Sequence, residues 1–309
     1  MRTKQELTDD IRRERRAALV VNARSRRGRQ LYADAHARLL DAGFDLLGAY
    51  AVDRPGELEN SLRSALAHKP DLLVAGGGDG TISTAGRFLA HRDVALGLLP
   101  LGTTNNFART VGILPDLDNA LATLVDGKVI DVDLGVAGDM PFTNHVGAGL
   151  SAEIMINVPG RLKRVIGRFA YPLTALGLLT RHRPLRATLR ADGREIVFIT
   201  HQVYVANGGF HAGRPITADA HADDRLLVAY PVGGRSKLEL IRETARNAFT
   251  GHRRTLREQP FIAVGELWLE TDRPAHVEVD GEPCGQTPLR VSVDPNALRI
   301  MAPPGSPDH

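Results

Sequence analysis

A glycine-rich loop and a second, mostly polar loop carry the residue types best suited to chemistry on a phosphate. The first, Gly76-Gly77-Gly78-Asp79-Gly80-Thr81, lies between an apolar run of strand length and a helical pattern. Glycines there let backbone N–H groups approach a phosphate closely, and a helix N-terminus adds a favourable dipole. Asp79 is an unusual residue in a loop built for an anion. It makes sense when a Mg²⁺ sits between the carboxylate and the phosphate oxygens. The competing reading is a tight strand-to-helix turn with Asp79 as its cap. The second loop, Pro100 to Arg109 (PLGTTNNFAR), also follows a strand-like run. Its Gly102, Thr103 and Asn105 offer backbone and side-chain donors to a nucleotide. In a parallel sheet the carboxyl ends of neighbouring strands share one crevice, so both loops would line one site.

The elements that must position these loops follow from periodicity. Ala17 to Asn22, Leu46 to Val52, Asp71 to Ala75, Val94 to Leu98 and Val129 to Leu134 are apolar runs of strand length. Between them, Leu31 to Leu40, Leu58 to Ala67 and Thr81 to Ala90 carry helical spacing, and Leu117, Ala120, Leu121, Leu124 and Val125 fall on one helical face. This alternation predicts a doubly wound, mostly parallel α/β domain over residues 17–135. From residue 136 to 302 the pattern turns β-rich, with strands at Thr188 to Leu189, Glu195 to Ala206, Arg225 to Val232, Phe261 to Glu270, His276 to Val279 and Leu289 to Val293. Turn signals at Asp192-Gly193 and Asp280-Gly281, and two helical stretches, Arg161 to Thr180 and Lys237 to Phe249, interrupt them. A β-sandwich-like second domain is expected, with its last strands returning to the first domain and with flexible tails at 1–16 and 303–309.

Composition narrows the function classes. The 309 residues are 43% hydrophobic and 24% charged, which excludes a disordered or collagenous chain. One cysteine, Cys284, excludes internal disulfides and CxxC metal sites. Met1 to Arg16 is polar and lacks a secretory apolar core, so a cytoplasmic protein is expected. A net charge of +3 gives no support to nucleic-acid binding. Basic residues nevertheless cluster, at Arg12 to Arg16, Arg24 to Arg29, and Arg161 to Arg168 with Arg181 to Arg186. The apolar stretch Val165 to Thr180 between the last two groups suits either a buried helix or one resting on an anionic membrane. No P-loop, G-x-S-x-G elbow or H-E-x-x-H is present. Gly147 to Ala152 fits G-x-G-x-x-A but opens no first βαβ unit, and is read as a packing turn.

Taken together these motifs resemble the diacylglycerol kinase catalytic-domain family, which includes bacterial diacylglycerol kinases and sphingosine and ceramide kinases. Asn22-Ala23-Arg24-Ser25 with Gly28 resembles its N-P-x-S-G opening, Gly77 to Thr81 its GGDGT, and Pro100 to Arg109 its P-L-G-T-x-N-D-F-A-R. Phe142, Asn144 and Gly149 resemble F-x-N-x-x-x-x-G, Asp223 to Leu227 D-D-G-x-L, and Asp280 to Glu282 the late D-G-E. The resemblance runs from about Leu19 to Pro303.

It implies ATP-dependent phosphorylation of a lipid hydroxyl in a cleft between the two domains. By that resemblance Asn22, Ser25, Gly77, Gly78, Asp79, Gly80, Thr81, Ile82, Ser83, Gly102, Thr103 and Asn105 would bind ATP, and Asp79 with Asp131 would hold the catalytic Mg²⁺. Glu282, supported by Asp280, would take the proton from the hydroxyl. A second-domain Mg²⁺ would use Asp224 with the carbonyls of His221 and Leu226. Peripheral contact with the inner membrane face would bring the lipid within reach, and a homodimer is left open. Four positions depart from the family pattern. Asn106 replaces an Asp, Arg225 replaces the Gly of D-D-G, Ala23 and its following arginines replace Pro and a Lys, and Val52-Asp53 stands where a Thr is common. A catalytically degenerate lipid- or nucleotide-binding member and an NAD kinase are the competing readings.

Overall fold

The computed structural model describes residues 1–24, 26–54, 56–158, 170–179, 181–208, 210–211, 214–215, 223–250 and 262–307. Their contacts separate into two compact units, one made of 1–134, 221–224 and 294–309, the other of 135–220 and 225–293.

In the first unit the chain runs α1 (Lys4–Glu14), β1 (Arg16–Asn22), α2 (Arg26–Asp41), β2 (Asp45–Val52), α3 (Glu57–Ala67), β3 (Leu72–Gly77), α4 (Asp79–Leu89), β4 (Ala95–Pro100), α5 (Asn106–Thr110), α6 (Leu117–Asp126) and β5 (Lys128–Ala137), whose last residues enter the second unit. The strands pair in parallel in the order β2-β1-β3-β4. β1, β3 and β4 are almost wholly apolar and buried along their length, as strands covered by helices on both faces must be. Leu19, Leu72, Leu73, Leu96 and Leu98 are fully buried, each contributing about 1.5–3 kcal/mol of transfer free energy.

The first sixteen residues are not a loose tail. Thr3 and Glu6 form a reciprocal capping box, and Leu7 and Ile11, one helical turn apart, are buried against the unit's core. Arg2 anchors the segment by reaching Asp10 at 3.0 Å, Asp71 at 2.7 Å and Asp93 at 3.0 Å. Just two apolar side chains face inward in an otherwise charged stretch, which is why the sequence reads as a tail. At the other end, the described part of the 303–309 segment folds back, with the Ser306 hydroxyl 3.4 Å from the Val111 carbonyl.

The second unit adds β6 (Met140–Phe142), β7 (His145–Gly149), α7 (Leu150–Asn157), a helix over Ala170–Leu179, β8 (Leu185–Ala191), β9 (Arg194–Thr200), β10 (Gln202–Asn207), the short pair β11 (Phe210–His211) and β12 (Arg214–Pro215), β13 (Leu227–Val232), a helix over Lys237–Thr250, β14 (Ile262–Val264), β15 (Glu266–Thr271), β16 (His276–Val279), β17 (Glu282–Gln286) and β18 (Leu289–Ala302). One antiparallel sheet has the order β14-β13-β10-β7-β16-β17, and a second joins the start of β18 to β15, β8 and β9. Val146, Val205, Ala229 and Val277 of the first sheet share a core with Leu189, Leu267, Leu269 and Val291 of the second, a sandwich packed through its inner faces.

Three expected strands change. Glu195 to Ala206 breaks at His201 into β9 and β10, which join different sheets. The Phe261 to Glu270 run breaks at Gly265, and its first residue lies outside the described residues. Leu289 to Val293 continues past Pro295 to Ala302, so β18 begins in the second unit and ends beside β4 in the first. A left-handed Asn296 (φ 53°), its N–H bonded to the Asp133 carboxylate at 2.8 Å, carries the chain through that bend. The Gly147 to Ala152 stretch is the junction of β7 and α7 rather than a turn alone. Of the basic-flanked helix, 161–169 and Thr180 lie outside the described residues. Among the described residues no helix is long and apolar enough to cross a membrane.

Candidate active site

Close approach of the two loops is permitted by missing side chains. A Cβ on Gly102 would stand 2.6 Å from the Gly78 Cα and 2.8 Å from the Asn105 Oδ1. One on Gly77 would meet the Thr81 side chain at 2.4 Å. A Gly102→Ala substitution therefore wedges the loops apart, and a loss of about 1–3 kcal/mol is expected in urea denaturation.

Asp79 joins the loops chemically. It opens α4, where first-turn N–H groups lack intrahelical partners and the dipole favours negative charge. Its Oδ2 accepts the Thr104 hydroxyl at 2.6 Å and its Oδ1 accepts the Phe107 N–H at 3.4 Å, so the carboxylate of the first loop orders the second. Each carboxylate oxygen has two lone pairs, so Asp79 can make both bonds and still face a cation. The donor chemistry fits a hard divalent ion.

The other nucleotide candidates divide into supports and exposed groups. Asn22, at the end of β1, donates to the Thr81 hydroxyl at 3.3 Å, tying a third strand end to the first loop. Asn105 is buried in a left-handed conformation (φ 49°). Its Oδ1 takes the Gly102 N–H at 2.9 Å and its amide donates to the Pro100 and Gly102 carbonyls. The side-chain and Gly102 donors expected for a nucleotide are thus engaged within the loop. Thr81, Ile82 and Ser83 are buried, whereas Gly80, Gly102 and Thr103 are exposed. Ser25 lies outside the described residues.

Asp131 is not brought to Asp79. It lies 3.9 Å from the Lys4 Nζ and 3.6 Å from the Arg299 Nε, and Arg299 binds Asp93 at 2.6 Å. Asp93 precedes β4, whereas Thr104, the partner of Asp79, follows it. Six residues at about 3.3 Å each separate the two ends, too far for one ion to hold both carboxylates. In sequence, Asp131 shows only as an acidic residue on a strand; the end of the sheet it occupies is set by pairing. Asn106, which stands where the family pattern has an Asp, is buried at the start of α5.

In the second unit Asp280 and Gly281 form the β16–β17 turn, both with positive φ (48° and 86°), a combination suited to Asp-Gly. The Asp280 carboxylate accepts four hydrogen bonds. Oδ2 takes the Thr143 N–H (2.8 Å) and hydroxyl (3.1 Å), and Oδ1 takes the N–H groups of Asn144 (3.0 Å) and His145 (2.9 Å). Asp280 is accordingly the anchor of the turn, while Glu282 beside it is exposed.

Glu278 belongs to no motif legible in the sequence. It is 3% exposed, 3.2 Å from the His145 Nε2 and 3.4 Å from the Ser151 hydroxyl. Burial, then the Glu278 charge, raises the Tyr204 pKa above its usual value, while Ser151 hydrogen-bonds that phenol. No spacing signals this group, because β7, β10 and β16 converge only in the folded sheet. Of the second-domain metal set, His221 lies outside the described residues, and Asp224 and Leu226 fall in different units. Arg225 adopts the left-handed conformation (φ 58°) natural to the glycine it replaces.

Comparison with known proteins also finds two successive regions in the chain. Residues 16–137 match the diacylglycerol kinase catalytic domain, and residues 144–302 match the YegS C-terminal NAD kinase beta sandwich-like domain. A protein of Pseudomonas fluorescens named probable lipid kinase YegS-like is 31% identical over 95% of this chain and 97% of its own. The diacylglycerol kinase of Bacillus subtilis is 28% identical over 89% of this chain and 92% of its own. A crystal structure of a Bacillus anthracis diacylglycerol kinase shares the fold with a TM-score of 0.73, at 22% identity over 94% of this chain and 98% of that one. Since both domains match in order and near-full-length relatives align end to end, the chain belongs to the diacylglycerol kinase and YegS-like family of lipid kinases.

Proposed function

We propose that this protein transfers the γ-phosphoryl group of ATP to the hydroxyl of a lipid alcohol, with diacylglycerol as the first acceptor to test. The observation that carries the reading is the Asp79 bridge, a carboxylate at a helix N-terminus that orders the second loop and keeps lone pairs for a cation. Asp79 would hold a Mg²⁺, which supplies charge neutralisation on the phosphates when bound. The exposed Gly80 and Thr103 would meet the nucleotide, while Asn22, Thr81 and Asn105 keep the loops in shape. In the transfer the lipid oxygen bonds to the γ-phosphorus, the bond to the ADP oxygen breaks, and the hydroxyl proton passes to Glu282. The exposed position of Glu282, beside an Asp280 whose four bonds fix the turn, favours it as the acceptor. Peripheral contact with a membrane would bring a water-insoluble substrate to an enzyme without a spanning helix among its described residues.

The test is incubation of purified protein with γ-labelled ATP, Mg²⁺ and a panel of lipid alcohols in mixed micelles, with NAD as a control acceptor. Label in a lipid phosphate is expected. Measurable ATP binding with no transfer to any lipid would replace this reading with the non-catalytic one, and label in NAD would replace the acceptor.

A further inference from the structure

We infer that the buried Glu278 and the half-buried His145 form a bracket that positions Glu282 for proton transfer; the catalytic part of this inference rests on the kinase reading above. The Glu278 carboxylate uses both oxygens. Oε1 faces the His145 Nε2 at 3.2 Å and the Ser151 hydroxyl at 3.4 Å, and Oε2 accepts the Gly281 N–H at 2.9 Å. Gly281 is the residue immediately before Glu282. His145 is held to the same turn from its other side, since its N–H donates to Asp280 at 2.9 Å and its carbonyl accepts the Asp280 N–H at 2.9 Å. The turn is therefore gripped by one residue of β7 and one of β16, and the two grips are joined through an imidazole–carboxylate contact.

Sterics reserve the space for this carboxylate. Glu278 stands opposite Gly147 across the β7–β16 pair, and a Cβ on Gly147 would lie 2.3 Å from the Glu278 Oε1 and 2.7 Å from the Ser151 hydroxyl. Closing a hairpin needs no ionisable group, and burying a carboxylate to 3% exposure carries a large desolvation cost unless it is paired. A charge kept there beside a histidine is suited to hold a neighbouring catalytic group within the narrow tolerance that proton transfer requires. The Tyr204 ring packs beside the imidazole, 5.6 Å from His145 and edge-on to it.

Glu278 and His145 are positioning residues, and their signature is a loss in turnover without a loss in binding. Glu278→Gln, nearly isosteric, is expected to lower kcat by about tenfold or more with KM for Mg·ATP and lipid within about twofold. His145→Gln should do the same, and the double variant should be no slower than the worse single variant, because one bracket is removed once. Hydrogen exchange supplies a readout independent of turnover, with the Gly281 amide expected to exchange about tenfold faster in Glu278→Gln. Wild-type kcat in both single variants overturns the inference, as does a kcat loss that merely follows a fall in thermal midpoint. Unchanged Gly281 exchange overturns it even if no lipid is turned over. Absence of turnover in the wild type, with faster Gly281 exchange in Glu278→Gln, upholds the bracket and rejects the kinase reading instead.

Discussion

Asp79→Ala is expected to lower phosphoryl transfer by about 10³-fold or more while the secondary structure stays intact. Two losses combine in that variant. The carboxylate that would carry Mg²⁺ disappears, and the Thr104 hydroxyl and Phe107 N–H lose the acceptor that places the second loop, now 2.6 Å and 3.4 Å away. Asp79→Asn separates them, because its amide oxygen can still accept one of the two hydrogen bonds but carries no charge. If charge dominates, Asn is nearly as inactive as Ala; if loop placement dominates, Asn recovers a substantial part of the rate. Steady-state transfer of labelled phosphate, with circular dichroism as the control for folding, measures both. An Ala variant within tenfold of the wild type would remove Asp79 from the mechanism.

Glu282→Gln is expected to lower kcat by about 10²–10⁴-fold with little change in stability, the range for loss of a general base. The neighbouring Asp280→Asn should behave in the opposite way. Its four bonds all come from donors, namely the Thr143 N–H and hydroxyl and the N–H groups of Asn144 and His145. An asparagine would turn an NH₂ toward some of them and leave buried donors unpaired, costing about 2–3 kcal/mol. Thermal or urea unfolding beside single-turnover rates discriminates the two. A stable Asp280→Asn protein whose chemistry is abolished would reverse the assignment and make Asp280 the proton acceptor.

Much of this protein is determined by its sequence alone. Apolar strand runs alternating with helical spacing over residues 17–135 specify a parallel sheet covered on both faces, because continuous burial and a period of 3.6 leave few other packings. The two loops are legible because close backbone approach needs glycine itself, and the contacts a Cβ would make at Gly77 and Gly102 bear that out. Asp280-Gly281 is legible for the same reason, since both positions need positive φ. What the sequence leaves undecided is which side chains share a place. The family resemblance pairs Asp131 with Asp79, and only the strand direction sends one to each end of β4. The anchoring of 1–16 rests on Arg2 reaching Asp71 and Asp93, and long-range ion pairs leave no periodic trace. Glu278, His145 and Ser151 lie up to 133 residues apart, and their meeting is set by the β7–β16 register, where a slip of one residue would turn Glu278 to the opposite face. Local rules fix the backbone at each loop, whereas the partner of a buried charge is decided by sheet order and register, and these are properties of the whole fold.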